Sequence, residues 1–367
     1  MAKGLCQIMV KVLLATGKPF YPAARNEFVD ALRQHGIETA AVENFNPKDT
    51  QMLIDSIPGA DILVVRSEKV TEEVIKAADG LGMIVRGGAG LETIDANYAS
   101  KRGIKVETTP DTNSTSVAEL AFDMIGILYR KLNNPSSEFF GREIRGKKLA
   151  IYGLGNIGIK TAAIGAAYGA QLLGFDINHD TLYQARQHGV NLAKNLEELF
   201  EGADIVSVHV PFRDAARYNG TATENSIDYG LLSRMNPRGV LINTARPGIV
   251  NNADLGRLLA EREEFSYGVD ALQENAVEVQ KWLDQQGLSQ FSPRVYATPK
   301  IGAQTEEASR RTLKAAAEKI LNFCKVPITV SGSNSAQPVQ LGSGVDYDAL
   351  ADLEGGVLHK EARTYII

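Results

Sequence analysis

The sequence predicts an α/β protein built from two doubly wound parallel sheets with helices on both faces. Three observations lead there. Strand-like and helix-like segments alternate over about 320 residues, the pattern that lays helices on the faces of a parallel sheet. At 367 residues the chain exceeds what one hydrophobic core serves, so two domains are expected. Midway along it, the apolar run from Leu149 to Tyr152 meets Gly153-Leu-Gly155-Asn-Ile-Gly158 and a helix-compatible stretch to Tyr168, a join of the Rossmann type.

Taken in order, strands are expected near 10–15, 61–65 and 83–86, making a small doubly wound first unit, flavodoxin-like in class, that runs to about residue 110. The apolar start from Leu5 to Leu14 is interrupted by Lys11 and has no cleavage site after it, so it reads as a first strand. A long helix follows from about Ser114 to Lys131, with Asn113 or Ser114 as N-cap and Glu119 in its second turn. The loop Asn133-Asn-Pro-Ser-Ser137 is the clearest break in the first half and is placed near the crossing between units. From Gly146 a Rossmann unit begins, with strands near 149–152, 171–176, 204–210, 239–243, 266–270 and 295–298. A helix from about Gln304 to Phe323 is expected to return to the first unit. The domains are drawn as 1–112 with 300–330 for substrate and 113–299 for cofactor. The remainder, 331–367, forms a tail rich in Ser, Gly and Gln up to Val345, then acidic, with no role assigned.

Composition narrows the partners. Hydrophobic residues make up 44% and charged residues 23%, as in an ordinary globular protein. A net charge of −5 gives no basic face for nucleic acid or an anionic membrane, so a small ligand is the expected partner. The two cysteines, Cys6 and Cys324, lack metal or redox spacing, which predicts a reducing, cytoplasmic setting and no structural metal.

The glycine segment predicts a dinucleotide site. Gly153 permits the tight turn, Gly155 lets backbone approach a pyrophosphate, and Gly158 lets helix pack on strand. The N-terminus of the helix then offers N–H groups and a favourable dipole to the phosphates. The next strand, Gln171 to Phe175, ends in Asp176, 18 residues after Gly158, where a carboxylate can accept both ribose hydroxyls. That carboxylate would repel a 2′-phosphate, and no Arg follows in Ile177-Asn178-His179, so NAD is expected over NADP.

In an open α/β sheet the chemistry gathers beyond the carboxyl ends of strands. Arg246 follows the strand Val240–Asn243, Asp270 and Glu274 follow the next, and Lys300 follows Val295-Tyr-Ala-Thr-Pro. The segments Gly-Leu-Gly-Asn-Ile-Gly158, Asn243-Thr-Ala-Arg246 and Thr298-Pro-Lys300-Ile-Gly302 resemble successive motifs of the D-isomer 2-hydroxy acid dehydrogenases, over roughly residues 10–325. The resemblance implies hydride transfer between NAD and a 2-hydroxy acid, with Arg246 binding the substrate carboxylate and carbonyl. Physics agrees, since a guanidinium offers a carboxylate two parallel N–H donors. By the same resemblance Asn156, Ile157, His209, Pro211, Thr244, Ala245, Asp270 and Gly302 fall at cofactor-side positions, His209 in a structural rather than an acid–base role.

The chain departs from the family at position 300, a Lys where most members carry the acid–base His. It resembles in this a subgroup of short phosphoglycerate dehydrogenases in which Lys is thought to move the proton. A lysine can do so only if its pKa falls well below about 10.4, which neighbouring cations and exclusion of water favour. The family's supporting Glu would fall at Asn275, one place after Glu274, so Glu274 is carried as a secondary candidate.

A second anion is also predicted. Arg66 and Arg86 both follow first-unit strands, the latter entering Gly87-Gly88-Ala89-Gly90, whose backbone N–H groups are expected to be available to a carboxylate. Arg246 alone suffices for a carboxylate, so two more guanidinium groups, with Ser67, suggest a phosphate. Val-Arg66-Ser67 and Arg86-Gly-Gly-Ala-Gly-Leu-Glu-Thr-Ile-Asp95 resemble the phosphoglycerate dehydrogenases within the family. Members commonly dimerise, which would bring Arg130 toward a neighbouring subunit's cleft. Two alternatives stay open: another phosphorylated acid such as erythronate 4-phosphate, and a non-enzymatic NAD-sensing protein in which Lys300 is idle.

Overall fold

The computed structural model describes residues 10–324 apart from 137, 139, 215, 217–219 and 272–274. Cys6, Glu274 and the tail 331–367 therefore lie outside the described residues.

The first sheet contains β1 (Lys11–Thr16), β2 (Glu38–Glu43), β3 (Ile62–Val65), β4 (Met83–Arg86) and β5 (Lys105–Thr108), all parallel in the order β2-β1-β3-β4-β5. That is the flavodoxin-like order, and its switch point lies between β1 and β3. β3 is buried at every position because helices cover both faces of its sheet, which explains its continuous Ile-Leu-Val-Val run. The second sheet contains β6 (Lys148–Tyr152), β7 (Gln171–Phe175), β8 (Asn191–Leu192), β9 (Ile205–Val208), β10 (Val240–Asn243), β11 (Ser266–Ala271) and β12 (Val295–Pro299). Its order, β12-β11-β10-β9-β6-β7-β8, reverses between β6 and β9, where the Gly153 turn emerges.

Strands β2, β5 and β8 were not among those expected from sequence. All three are edge strands, with residues such as Glu38-Thr-Ala-Ala-Val-Glu43 that are exposed or half-buried, so no buried apolar run marks them.

The long helix Ser114–Arg130 belongs to the second unit: Ala121, Met124, Ile125 and Leu128 share a core with Leu149, Ile151 and Ile242. The loop at 133–137, placed near the crossing from its composition, therefore lies inside the second unit, while the boundary drawn at 112/113 falls before this helix. Asn133 confirms the correction, its Nδ2 donating to Pro293 O just ahead of β12 (2.6 Å). Asn113 makes no side-chain cap; Ser114 Oγ instead donates to Asp111 O (2.8 Å). The last helix, Glu306–Phe323, is capped by Thr305 and buries Leu313, Ala316 and Ile320 against Val12, Leu14 and Phe28 of the first unit.

Candidate active site

The three glycines after β6 meet three different requirements. Gly153 has φ +98°, and a Cβ there would lie 2.8 Å from the backbone of His209 and Val210. At Gly158 a Cβ would overlap Gly153 O, so only glycine lets helix Asn156–Ala167 start this close to β6. Gly155 has ordinary φ and nothing within 4 Å of a Cβ, which leaves its face open to an approaching ligand. Asn156 and Ile157 open the helix, whose N-terminus has no side-chain cap. Asp176 is aimed at the mouth because Oδ2 accepts Leu154 N–H (2.7 Å) and Oδ1 accepts Asn178 N–H (2.8 Å). A carboxylate accepts about four bonds, so capacity remains for two ribose hydroxyls. An open cavity of about 770 Å³ runs along this side, lined by Tyr152, Gly155, Asp176, His209, Pro211 and Thr223 among others. A dinucleotide fits the donor set and shape of this cradle.

His209 is a post within the second unit. Its Nε2 lies 2.9 Å from Ser207 Oγ and 3.1 Å from Thr161 Oγ1, and Nδ1 lies 3.5 Å from Thr244 Oγ1. Burial pushes its pKa down to about 3, so the ring is neutral near pH 7. Pro211 O accepts Thr223 Oγ1 (2.6 Å), closing the same wall.

Arg246 is set by the turn that follows β10. Asn243 Nδ2 donates to Arg246 O (2.9 Å) and its Oδ1 accepts Ala245 N–H (3.1 Å), while Arg246 Nη1 donates to Ala245 O (2.9 Å). Nη2 reaches across the cleft to Glu92 Oε1 of the first unit (2.5 Å). Arg86 and Arg66 enter from β4 and β3. Burial lowers both below the usual guanidinium value; Glu68 and Arg86 act on Arg66, and Glu92 and Arg246 act on Arg86. Each cation therefore feels the next, and all three remain charged. The Nε of Arg86 is buried with no hydrogen-bond partner among the described residues, an arrangement that an acceptor on a ligand would satisfy. Arg66 lies 5.2 Å over the Phe20 ring and donates through Nη2 to Ala303 O (2.9 Å).

The glycine-rich loop is more constrained than expected. Gly87 N–H donates to Val65 O (2.7 Å) and Gly88 N–H to Thr109 Oγ1 (2.9 Å), leaving the Ala89 and Gly90 N–H groups without an acceptor among the described residues. Gly88, at φ +147°, passes so close to Arg86 that a Cβ would overlap the guanidinium.

Lys300 stands on a turn held from both units. It adopts φ +51°, a left-handed conformation that costs a non-glycine residue about 1–2 kcal/mol. Asp270, buried at the end of β11, compensates: Oδ1 accepts Thr298 Oγ1 (2.7 Å) and Ile301 N–H (2.9 Å), and Oδ2 accepts Gly302 N–H (2.9 Å). Ser116 Oγ donates to Gly302 O (2.6 Å), and Lys18 Nζ donates to Pro299 O (2.7 Å). Arg130 lies apart, exposed at the far end of helix Ser114–Arg130, about 20 Å from its first turn. Asn275, at the position of the family's Glu, caps the helix Ala276–Gln285 by accepting Glu278 N–H (3.0 Å).

Three site residues gave no recognisable signal in sequence. Glu68 is fully buried and accepts N–H bonds from Gly17 (2.7 Å), Arg66 (2.6 Å) and Ser67 (2.8 Å), so it shapes the loop that presents Arg66. Glu92 and Lys18 are the others. All three reach partners remote in sequence or in unpredictable loops, which one sequence does not reveal.

The chain is similar in sequence and fold to known proteins. The chain is 29% identical over 334 residues to D-3-phosphoglycerate dehydrogenase of Methanocaldococcus jannaschii, a match covering 88% of this chain but only 61% of that protein's length. It is 32% identical over 285 residues to hydroxypyruvate reductase of Thermotoga maritima, covering 74% of this chain and 87% of the other. The NAD⁺-bound structure of 3-phosphoglycerate dehydrogenase from Entamoeba histolytica superposes with a TM-score of 0.72 at 32% identity, over 86% of this chain and 96% of that one. Residues 18–331 match the family described as D-isomer specific 2-hydroxyacid dehydrogenase, catalytic domain, and it is to this family that the chain belongs.

Proposed function

We propose that this protein is an NAD-dependent dehydrogenase that interconverts D-3-phosphoglycerate and 3-phosphohydroxypyruvate, the entry to phosphorylated serine synthesis. The observation that carries the reading is the chain of three guanidinium groups, Arg66, Arg86 and Arg246, with the buried Nε of the middle one, Arg86, lacking a partner among the described residues. A 2-hydroxy acid with one carboxylate engages one such group; a phosphate on C3 gives the other two a partner. The relatives named for phosphoglycerate point the same way.

NAD would be held by Gly153, Gly155, Gly158 and Asp176, and supplies the hydride acceptor for C2. Arg246 clamps the carboxylate through two parallel N–H bonds, and the Ala89 and Gly90 N–H groups are available to its second face. Arg66, Arg86 and Ser67 take the phosphate. Lys300 Nζ removes the proton of the C2 hydroxyl as the carbonyl forms, and returns it in the reverse direction. The turn that carries it, left-handed at Lys300 and held by Asp270, supports this role. A lysine amine has no tautomer to fix, so this site does not need the carboxylate that orients a family histidine. Asp270 serves here mainly as anchor of the Lys300 turn. A homodimer in the cytoplasm, with Arg130 near the partner's cleft, completes the proposal; among the described residues no helix is long and apolar enough to cross a membrane.

The test is NADH oxidation with 3-phosphohydroxypyruvate beside hydroxypyruvate, glyoxylate and pyruvate at equal concentration. A marked preference for the phosphorylated acid is expected. Equal rates would remove the phosphate from the reading, and NADH binding without turnover on any of them would favour a non-enzymatic role or another phosphorylated acid.

A further inference from the structure

Glu92 stands where a substrate carboxylate is expected. Its Oε1 pairs with Arg246 Nη2, and its Oε2 lies against the α-carbon of Gly90, where a Cβ would overlap it. One carboxylate is thus bracketed by the clamp guanidinium and the glycine-rich loop, the two groups that the proposed function assigns to the substrate. Arg86 is its second cation. The pair also spans the cleft, since Glu92 follows β4 of the first sheet and Arg246 follows β10 of the second.

We propose that Glu92 is an internal carboxylate that competes for the substrate-carboxylate position and has to leave Arg246 before a 2-hydroxy acid binds. It is thereby an affinity-setting residue for the carboxylate end of the substrate. The inference rests on the reading of Arg246 as the carboxylate clamp. Arg246 does not need Glu92 for its orientation, because the Asn243 turn and the Nη1 bond to Ala245 O already fix it. Departure is easy, because the two side chains are 35% and 51% exposed, so water takes up much of what the pair loses.

The cost of displacement is the same for every carboxylate ligand and absent for a ligand without one. The full chain, wild type and Glu92→Gln, is therefore titrated calorimetrically with 3-phosphoglycerate, D-glycerate and glycerol 3-phosphate, with and without NADH. Glu92→Gln is expected to bind both carboxylates more tightly, by a similar factor of roughly two to five, with glycerol 3-phosphate unchanged. Weaker or unchanged carboxylate binding overturns the proposal and makes Glu92 a support or a bystander of Arg246. Equal tightening of glycerol 3-phosphate also overturns it, since the effect would then be one of general charge. A gain for D-glycerate with 3-phosphoglycerate no better bound than D-glycerate leaves Glu92 in its role and removes the phosphate reading instead.

Discussion

Replacing Asp270 with Asn should cripple turnover while sparing the adenosine half of the cofactor site. The carboxylate now accepts three bonds from the Lys300 turn, two on Oδ1 and one on Oδ2. An amide keeps one oxygen, best placed toward Thr298 and Ile301, and turns an N–H toward the N–H of Gly302. One charge-assisted bond is lost, about 1.5–3 kcal/mol, with donor facing donor in its place. The left-handed Lys300, which costs about 1–2 kcal/mol to hold, is then free to relax and withdraw its amine. A loss of about 2–4 kcal/mol at the transition state lowers kcat/KM by roughly 30- to 1000-fold. The assay is steady-state NADH oxidation with 3-phosphohydroxypyruvate, with thermal melting and NADH titration on the same samples. Stability should fall by about 2 kcal/mol and NADH affinity should change little. A variant that turns over at the wild-type rate refutes the link between this turn and the chemistry, even if it melts earlier.

The remaining predictions are these. Lys300→Ala should abolish turnover with NADH affinity intact in a fluorescence titration, and a variant at full rate would end the acid–base role. Asp176→Ala should erode the preference for NAD over NADP; an unchanged ratio of kcat/KM for the two cofactors would exclude Asp176 from that selection. His209 is neutral in the folded state with its pKa depressed to about 3 from 6.5, so the unfolded chain binds the extra proton between those values and stability falls as pH drops through them. Denaturant melts of wild type should show this loss, at most about 1.4 kcal/mol per pH unit, and His209→Gln should flatten it. Identical slopes would show that the ring is not kept neutral.

How much of this molecule was legible beforehand varies with where each residue gets its partners. The Rossmann turn could be read because its requirements are local: Gly153, Gly155 and Gly158 answer to one strand, one turn and one helix, and Asp176 directly follows the next strand. The buried strands β3, β4, β9 and β10 announced themselves by largely apolar runs, and Arg66, Arg86 and Arg246 by standing at or just after the ends of such strands. Edge strands β2, β5 and β8 carry no such run, because half of their surface meets water. The 133–137 loop was placed near the crossing because composition marks a loop without saying which core its flanking helix joins; that depends on Met124 and Leu128 finding Ile151 and Ile242. Tertiary structure alone decided that Glu68 folds the Arg66 loop, that Asp270 anchors Lys300, and that Glu92 meets Arg246 across 154 residues of chain. The sequence by itself settles which strands are buried and which residues follow them, because periodicity and turn chemistry act over a few residues. Which charges face one another across the cleft follows only from the docking of the two sheets, and that pairing sets the electrostatics of the site.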